Sequence, residues 1–431
     1  MPNRRFKIVA FGAVLVGALA MACGSDSPAA APTARPATPT VQPRSTEAPP
    51  TPVPAATTAP ATQTQTTPAT VPDEGSPFTW EIEDVDSGTK PALALTADGT
   101  PNVAYMLEAM PGFVKNAVRS GASWDISTIA KGYFYGPLDI GIGPDDTPHI
   151  TYHDHQANNF QPSKGDAVHA VLKDGEWKVE AVFDVGHDGW DNRLIVDAQG
   201  RVHMSAIDPV EFGGSGVEYY FQDDSGKWEV EQVDSGPQTY KYATSVAVDP
   251  NGAPHITYFD QSRNDLVLAS RNDGDWTKET VDSEGDSGLF SSLVIGADGR
   301  YHVSYLFKGA TFGAFKYATR GPDDTEWVVT EIDRLNNLKY GFVGARNITS
   351  LALDSEGRPW ITYSDEKHLK LAVWDGSEWG ISTVVDAGSK TQGQLVSLGL
   401  DADDQPHIAY FEVTNKSPLD GVIKYAKGTP G

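Results

Sequence analysis

A unit of about 50 residues recurs seven times between residues 76 and 431. The clearest copy joins an Asp-Pro-Asn-Gly turn at 249–252 to the strand-like segment His255-Ile-Thr-Tyr258. The positions equivalent to His255 are 47 to 58 residues apart, at 102, 149, 203, 255, 302, 360 and 407. One such unit cannot bury its apolar face alone, so units with this period stack against each other into a continuous core. The repeat therefore constrains the fold more than any other feature of the chain.

Each unit contains four short segments rich in Val, Ile, Thr and Tyr, in which apolar and polar residues alternate. That alternation is typical of half-buried strands, and no segment carries the 3.6-residue apolar period of a helix. Four strands in a unit of this length predict an all-β fold, a seven-bladed β-propeller of four-stranded antiparallel blades.

The two ends of the repeat region complement each other. A tryptophan opens the fourth strand in six copies: Trp124, Trp177, Trp228, Trp276, Trp327 and Trp379. The seventh copy stops near Lys427, after its third strand, and a matching strand with its own Trp80 lies at Phe78–Ser87. We predict that this N-terminal strand closes the last blade, because closure removes an open sheet edge.

The N-terminus has the composition of an export signal. Three basic residues precede an apolar run from Ile8 to Ala22, which is shorter than the roughly 20 residues needed to span a bilayer. With Cys23 next, the segment resembles a bacterial lipoprotein signal, although Leu19 lies one residue earlier than usual. The resemblance implies a signal peptide at 1–22 and a lipid on Cys23, the one cysteine of the chain. Ala20-Met-Ala22 also fits ordinary secretory cleavage, which leaves secretion as the alternative.

Residues 23–75 are predicted to be a disordered linker that carries the lipidated Cys23. Pro, Thr and Ala make up 35 of the 52 residues from 24 to 75, and no aromatic residue occurs there. Such a segment buries too little apolar surface to offset its chain entropy. The propeller then occupies residues 76–431, displayed outside the cytoplasm on the cell membrane.

Charge excludes one class of partner. The formal net charge is −25, whereas binding to a phosphate backbone needs a basic surface. We therefore expect no nucleic-acid partner, and contact with the membrane only through the lipid.

The repeats resemble those of secreted bacterial propellers with sialidase-like or lectin-like repeats, over residues 78–427. The resemblance lies in the strand-turn pattern. The sialidase Asp-box is not met, because Asp354-Ser-Glu-Gly357 has one residue too many between Asp and Gly. The G-H…W-D pattern of WD40 repeats is absent as well, so no single family is implied.

The connections between strands fall on two faces of such a propeller. The first-to-second and third-to-fourth turns share the turn face, and they are short and alike. The second-to-third and blade-to-blade connections share the loop face, and they are longer and individual. Since function concentrates on individual loops carried by a rigid scaffold, we expect a ligand site on the loop face, over the central channel.

Two groups of residues outside the repeat are candidates for ligand binding. The first combines His153, Asp154 and His155 with a second segment that holds His187, Asp188, Trp190 and Arg193. His153 and His155 point the same way on a strand, so a metal site completed by His187 or Asp188 competes with a polar, hydrogen-bonded rim. The second group offers rings and cations that suit sugars: Tyr240, Tyr242, Arg263, Tyr340 and Arg346.

Residues that recur in most of the units are assigned structural roles. The repeated histidines belong to the turns, since equivalent side chains of neighbouring blades lie too far apart to share a metal ion. The repeated tyrosines at 105, 152, 258, 305, 363 and 410 form the core between blades. Carboxylates at the end of the second strand cap turns: Asp154, Asp208, Asp260, Asp365 and Glu412.

No catalytic motif identifies a reaction: the chain has no G-x-S-x-G elbow, P-loop, HExxH or dinucleotide fingerprint. No cofactor is expected, with weakly bound Ca²⁺ or Zn²⁺ as the alternative, and no catalytic residue is assigned. The leading hypothesis is a surface-anchored bacterial lipoprotein whose propeller binds a glycan, peptide or protein without catalysis. The alternatives are a secreted carbohydrate-active enzyme, a glycoside hydrolase or polysaccharide lyase with its site at the channel mouth, and a scaffold subunit of the cell envelope.

Overall fold

The computed structural model describes residues 69–71, 77–107, 109, 111–155, 165–183, 189–208, 216–223, 225–236, 243–335, 348–365, 367–386, 394–416 and 419–431. These residues form strands and turns and no helix, so none of them belongs to a helix that could cross a membrane. Cys23 and the signal peptide lie outside the described residues, as does all of the linker except 69–71.

Blades 1 to 3 are four-stranded antiparallel sheets, in which each strand pairs with the next along the chain. Blade 1 contains β3 (Thr89–Leu95), β4 (Pro101–Leu107), β5 (Gly112–Ser120) and β6 (Ser123–Gly132). Blade 2 contains β7 (Phe134–Ile142), β8 (Pro148–Asp154), β9 (Asp166–Lys173) and β10 (Glu176–Phe183). Blade 3 contains β11 (Trp190–Val196), β12 (Val202–Asp208), β13 (Gly216–Gln222) and β14 (Trp228–Asp234).

Blades 4 to 6 repeat the arrangement. Blade 4 contains β15 (Ser245–Val248), β16 (Pro254–Asp260), β17 (Asp265–Asn272) and β18 (Asp275–Asp282). Blade 5 contains β19 (Asp286–Ile295), β20 (Tyr301–Lys308), β21 (Gly313–Arg320) and β22 (Val328–Leu335). Blade 6 contains β23 (Thr349–Leu353), β24 (Pro359–Ser364), β25 (His368–Trp374) and β26 (Trp379–Asp386).

Blade 7 joins the two ends of the propeller, as the sequence predicts. Its first three strands are β27 (Gln394–Leu400), β28 (Pro406–Lys416) and β29 (Leu419–Pro430). The fourth is β2 (Phe78–Ser87), which runs antiparallel to β29 with Trp80 opposite Gly428. The first strands of neighbouring blades contact each other around the full circle, from β3 to β27 and back. The seven-bladed propeller and its N-terminal closing strand are thus confirmed.

One strand lies where the sequence predicts linker. The short strand β1 (Ala69–Val71) pairs with the outer edge of β2, with Thr70 opposite Glu81. Backbone pairing with an exposed edge needs no apolar side chain, so the composition of the linker gives no sign of it.

The repeated aspartate-glycine turns form because one carboxylate holds the whole hairpin. In blade 3, Asp197 Oδ1 accepts the backbone N–H groups of Gln199 and Arg201 at 2.9 and 2.8 Å. Gly200 takes a positive φ of 78° there, a conformation that glycine adopts without steric cost. The same bonds recur around Asp249, Asp354 and Asp401.

The core lies between blades, and the repeated tyrosines are buried in it as predicted. Tyr105, Tyr152, Tyr258, Tyr305, Tyr363 and Tyr410 are all 1 % exposed or less. In four of them the hydroxyl donates to a carboxylate on the last strand of the preceding blade: the acceptors are Asp86, Asp234, Asp282 and Asp333. Each tyrosine of these pairs therefore joins two blades.

The loop face is less uniform than the sequence suggests. A single residue, Gly88, separates β2 from β3, and a single residue, Tyr133, separates β6 from β7. Long blade-to-blade connections are therefore confined to some of the blades.

Candidate functional site

The wall of the central channel is built from the first strand of each blade, and one position in it joins neighbouring blades. At this position, which we call the ring position, a side-chain oxygen accepts a backbone N–H from the next first strand. Ser245, for example, accepts from Leu293 at 3.0 Å. The other bonds of this kind are Leu93 to Ser397, Leu194 to Asp139, Leu351 to Ser292, and Leu398 to Ser350, at 3.0 to 3.2 Å.

A second set of bonds lies beside the first. Here a hydroxyl on the second strand of one blade meets a polar side chain on the first strand of the next. Ser205 lies 2.9 Å from Thr244, and Thr257 lies 3.0 Å from Ser291. The set continues with Ser304 to Thr349 and Thr151 to Asn192. These buried bonds hold the blades at a fixed spacing.

Three consecutive blades depart from serine at the ring position. The register of the first two strands places Ala92, Asp139 and Arg193 at the equivalent sites of blades 1, 2 and 3. Blades 4 to 7 carry serine there: Ser245, Ser292, Ser350 and Ser397. The channel wall is therefore asymmetric in charge, with an acid and a base side by side.

Burial raises the pKa of Asp139, while Arg193 and the backbone N–H groups of Leu194 and Ile140 act in the opposite direction. Arg193 donates from Nη1 to the carbonyl oxygen of Asn192 at 3.1 Å. The pair gives this side of the channel one strong donor and one carboxyl group that retains its proton to a higher pH than an ordinary aspartate.

The first strands of the same blades bend at their loop-face ends. The pairing register shifts between Thr89 and Ala92 and between Trp190 and Arg193. Lys90 and Asp191, inside these irregularities, adopt positive φ angles of 56° and 51°. The same irregularity recurs before Ser292 and Ser397, where Phe290 and Leu395 have positive φ angles of 57° and 59°, so the bulge belongs to the repeat and is shared by blades 5 and 7.

The structure brings together His153, His155 and Trp190 from the first candidate group. The His153 and His155 rings lie 4.8 Å apart in an edge-on arrangement, and Trp190 lies 4.9 Å from His153 and 5.2 Å from His155. His153 and Trp190 are 0 % and 2 % exposed, so they form the base of the cluster and have almost no surface to offer a ligand. His155 is half-buried and forms its outer part.

Close packing fixes this cluster. A Cβ atom added at Gly165 would lie 2.3 Å from His153 Nε2, so only glycine fits there. The backbone N–H of His155 donates to the carbonyl oxygen of Tyr133 at 2.8 Å. Burial lowers the pKa of His155 to about 4, and the charge of Lys90 acts in the same direction. At neutral pH His155 is therefore an uncharged imidazole, which can donate one hydrogen bond and accept another.

The other predicted site residues are spread over the chain. Asp154 is half-buried at the end of β8. Arg263 lies on the β16–β17 connection of blade 4, away from the histidine cluster, with its exposed side chain 2.8 Å from Asp260. Six more lie outside the described residues: His187, Asp188, Tyr240, Tyr242, Tyr340 and Arg346. Among the described residues, no three His, Cys, Asp or Glu side chains are placed to hold a metal ion.

Two of the repeated histidines, His203 and His407, have the structural role that the sequence predicts. His203 Nε2 lies 3.1 Å from the turn carboxylate Asp197, and its Nδ1 lies 2.6 Å from the Tyr219 hydroxyl on the third strand. His407 is held in the same way between Asp401 and Tyr425.

Two of the acids at the end of the second strand cap turns, as predicted. Asp260 accepts from the backbone N–H of Ser262 at 2.9 Å. Asp365 accepts from the backbone N–H of His368 at 2.8 Å.

No protein-family model and no curated protein matches the chain. Solved structures do share its fold. An ulvan lyase bound to a GlcA–Rha3S saccharide is 14 % identical, with a TM-score of 0.51 over 79 % of this chain and 94 % of that one. A catalytically inactive virginiamycin B lyase from Staphylococcus aureus, crystallised with quinupristin, is 11 % identical, with a TM-score of 0.50 over 81 % and 99 %. The SapL1 lectin in complex with alpha methyl fucoside is 12 % identical, with a TM-score of 0.47 over 71 % and 98 %.

The likeness is one of fold. The structural neighbours of this seven-bladed propeller include lectins and polysaccharide lyases.

Proposed function

We propose that this chain is a surface-anchored bacterial lipoprotein whose propeller binds an extracellular glycan without catalysis. The ligand contacts the channel wall and the loop-face end of blades 1 to 3. The observation that carries the proposal is the replacement of the ring-position serine by Ala92, Asp139 and Arg193 in these three blades. Asp139 keeps the ring bond to Leu194 and adds a carboxyl group, whereas Ala92 and Arg193 have no side-chain oxygen to accept such a bond, so closure of the ring does not account for these three residues.

The chemistry of this region suits hydroxyl groups. Arg193 donates hydrogen bonds, and Asp139 accepts or donates them according to its protonation. Neutral His155 can donate one hydrogen bond and accept another. A sugar hydroxyl likewise donates one hydrogen bond and accepts others, so it pairs with either kind of partner. The ulvan lyase of the same fold is bound to a saccharide, which supports a glycan over a peptide or a protein. The net charge of −25 disfavours a highly charged polyanion.

Glycan-array binding by the mature chain tests this proposal. Arg193→Met removes the donor while keeping an unbranched apolar side chain, and we expect it to weaken binding at least about tenfold. Arg358→Met is the matched control, since Arg358 lies on the turn face of blade 6 and pairs with Asp354 at 2.7 Å. Equal binding by the two variants, or no glycan bound by the parent chain, would contradict the proposal.

A carbohydrate-active enzyme is the second candidate, and the raised pKa of Asp139 favours it. A raised pKa lets a carboxyl group hold its proton to a higher pH, as a general acid toward a glycosidic oxygen must. The test is turnover of fluorogenic glycosides and of uronate-containing polysaccharides by the parent chain and by Asp139→Asn. Turnover that the substitution abolishes would replace the binding-only proposal by an enzymatic one.

The lipid anchor on Cys23 is part of the same proposal. Its support is the basic start, the short apolar run and the position of the one cysteine directly after them. Labelled palmitate should enter the full-length protein in a bacterial host and should be absent from Cys23→Ala. Label that survives the substitution would rule the anchor out and favour simple secretion.

A further inference from the structure

A cavity of about 660 Å³ lies on the turn face, between blades 2 and 3. Its wall includes Gly143, Asp145, His149, Lys173, Asp174 and Gln199. It is at the opposite end of blade 2 from the histidine cluster, because His149 and His153 are four positions apart on β8, or about 13 Å. The sequence analysis predicts only structural roles for the residues of this face.

On its Nε2 side His149 differs from His203 and His407 and resembles His302, because the turns of blades 2 and 5 begin with Gly143 and Gly296 in place of an aspartate. In blades 3 and 7 this nitrogen lies near a turn carboxylate, 3.1 Å from Asp197 and 3.2 Å from Asp401. In blade 2 the equivalent turn residue is Gly143, whose backbone N–H closes the same hairpin by donating to Thr147. His149 lines the cavity, together with the carboxylate of Asp145 from the same turn.

The Nδ1 side of His149 differs as well. Its partner is His169, with Nδ1 and Nε2 3.0 Å apart and the two rings stacked at 23°. In blades 3, 5 and 7 the partner at this position is a tyrosine: Tyr219, Tyr317 and Tyr425. His169 Nδ1 lies in turn 3.2 Å from Glu180 Oε1. The hydrogen bond from His169 is the main reason that the pKa of Glu180 lies below its ordinary value.

This chain of three groups has a defined direction. An ionised carboxylate only accepts, so Glu180 must receive a hydrogen from His169 Nδ1. When His169 carries its one ring hydrogen on Nδ1, its Nε2 accepts from His149 Nδ1, and His149 Nε2 is left with a lone pair on the cavity side. Burial lowers the pKa of His149 to about 4, and the neighbouring His169 and Lys173 act in the same direction. His149 is therefore neutral at pH 7.

We propose that this cavity is a second ligand-binding site, which takes a neutral polyhydroxylated ligand such as a sugar unit, and that His149 Nε2 accepts a hydroxyl hydrogen from it. The wall also carries the carboxylates of Asp145 and Asp174, the ammonium of Lys173 and the amide of Gln199. The two carboxylates repel an anion and the ammonium repels a cation, whereas hydroxyl groups pair with every member of this mixed set. This site is independent of the loop-face proposal.

Nuclear magnetic resonance of the full chain, with labelled histidine and tryptophan, tests the proposal directly. Neutral methyl glycosides and neutral oligosaccharides are titrated while the His149 ring signals are followed. We expect His149 Nε2 to be unprotonated at pH 7 and its signals to shift with at least one saccharide. Signals of His155 and Trp190 report the loop-face site in the same experiment, so failure of one proposal is distinguishable from failure of the other.

The variant His169→Tyr restores the partner found in blades 3, 5 and 7, where a tyrosine is known to fit. A phenol hydroxyl that donates to His149 Nδ1 moves the ring hydrogen to Nε2 and removes the acceptor from the cavity. We expect this variant to fold and to bind at least about tenfold more weakly. Lys178→Gln is the matched control, since Lys178 lies on the same strand as Glu180 and pairs with exposed Glu176.

Three results would overturn the proposal: no saccharide moves the His149 signals at millimolar concentration, His169→Tyr binds as tightly as the parent chain, or added Zn²⁺ moves these signals while no saccharide does. The last result would mark a metal site in place of a sugar site.

Discussion

The hydroxyl of Ser245 accepts a 3.0 Å hydrogen bond from the backbone N–H of Leu293, one blade further along the ring. Strands within a blade pair through their backbones, but strands of different blades cannot, because their sheets face each other. A short side chain spans this boundary instead. Serine is small enough to fit between two first strands and polar enough to satisfy a buried N–H group.

Ser245→Ala should destabilise the propeller by about 1–3 kcal/mol, because it leaves the buried N–H of Leu293 without its acceptor. Urea unfolding followed by tryptophan fluorescence measures the change. Ser377→Ala is the control, since the Ser377 hydroxyl also makes a hydrogen bond, donated to Asp375, but in an exposed turn. The control should change stability by less than about 0.5 kcal/mol. Equal losses in the two variants would show that the ring bond contributes little.

Tyr258→Phe should cost about 1–3 kcal/mol at neutral pH, because it removes the 2.5 Å bond to buried Asp234. Although burial alone would raise the pKa of Asp234, the bonds from Tyr258 and Lys278 bring it below its ordinary value of 3.8. A lowered pKa contributes stability above the ordinary value that is lost as the pH falls through the folded-state pKa. The difference in free energy of unfolding between the parent chain and Tyr258→Phe should therefore reach its full value at pH 6. It should become smaller below about pH 4.

A double-mutant cycle with Asp234→Asn checks the attribution to this pair. The two substitutions should be non-additive, since each removes the same bond. Additive losses, or a gap that widens toward acid, would contradict the assignment.

Trp80→Ala should destabilise the protein by about 3–5 kcal/mol, since Trp80 is fully buried in the strand that closes the ring. Its ring lies 5.8 Å from that of Phe78 on the same strand. Ile381→Ala is the control, because Ile381 lies on the fourth strand of blade 6 and is 44 % exposed. Denaturant unfolding should show a clearly larger loss of stability in Trp80→Ala than in Ile381→Ala. If Trp80→Ala cost no more than Ile381→Ala, the closing strand would not contribute to stability as argued.

Most of the fold could be predicted from the sequence because the same residue types recur at equivalent positions in most of the blades. The repeat period predicts the number of blades, and Trp80 identifies the strand at Phe78–Ser87 as the one that closes the ring. The positive φ angles at Lys90 and Asp191 could not be predicted, since neither residue type signals a bulge. Strand β1 was missed because its pairing depends on the backbone of β2 and not on its own side chains.

The candidate site was predictable only in part. Because the segments that hold His155 and Trp190 lie on the loop face of neighbouring blades, the contact between these residues could be expected. The burial of Trp190 depends on packing between the blades, which the local sequence does not encode. Asp139 was missed, although a signal was present: aligned first strands carry serine in four blades and an acid here. His169 had a similar signal, since aligned third strands carry tyrosine at its position in blades 3, 5 and 7.

His302→Asn should make the free energy of unfolding depend less steeply on pH below about pH 6.5. Burial lowers the pKa of His302 to about 4, with Asp298 acting in the opposite direction. Between about pH 6.5 and pH 4 the unfolded chain therefore binds a proton that the folded chain excludes, and this residue alone removes about 1.4 kcal/mol of stability per pH unit. Asparagine does not titrate, and blade 1 carries Asn102 at the equivalent position, so the variant should fold. Urea midpoints at pH 7, 6 and 5 measure the slope, and an unchanged slope in the variant would show that His302 accepts a proton within the folded propeller.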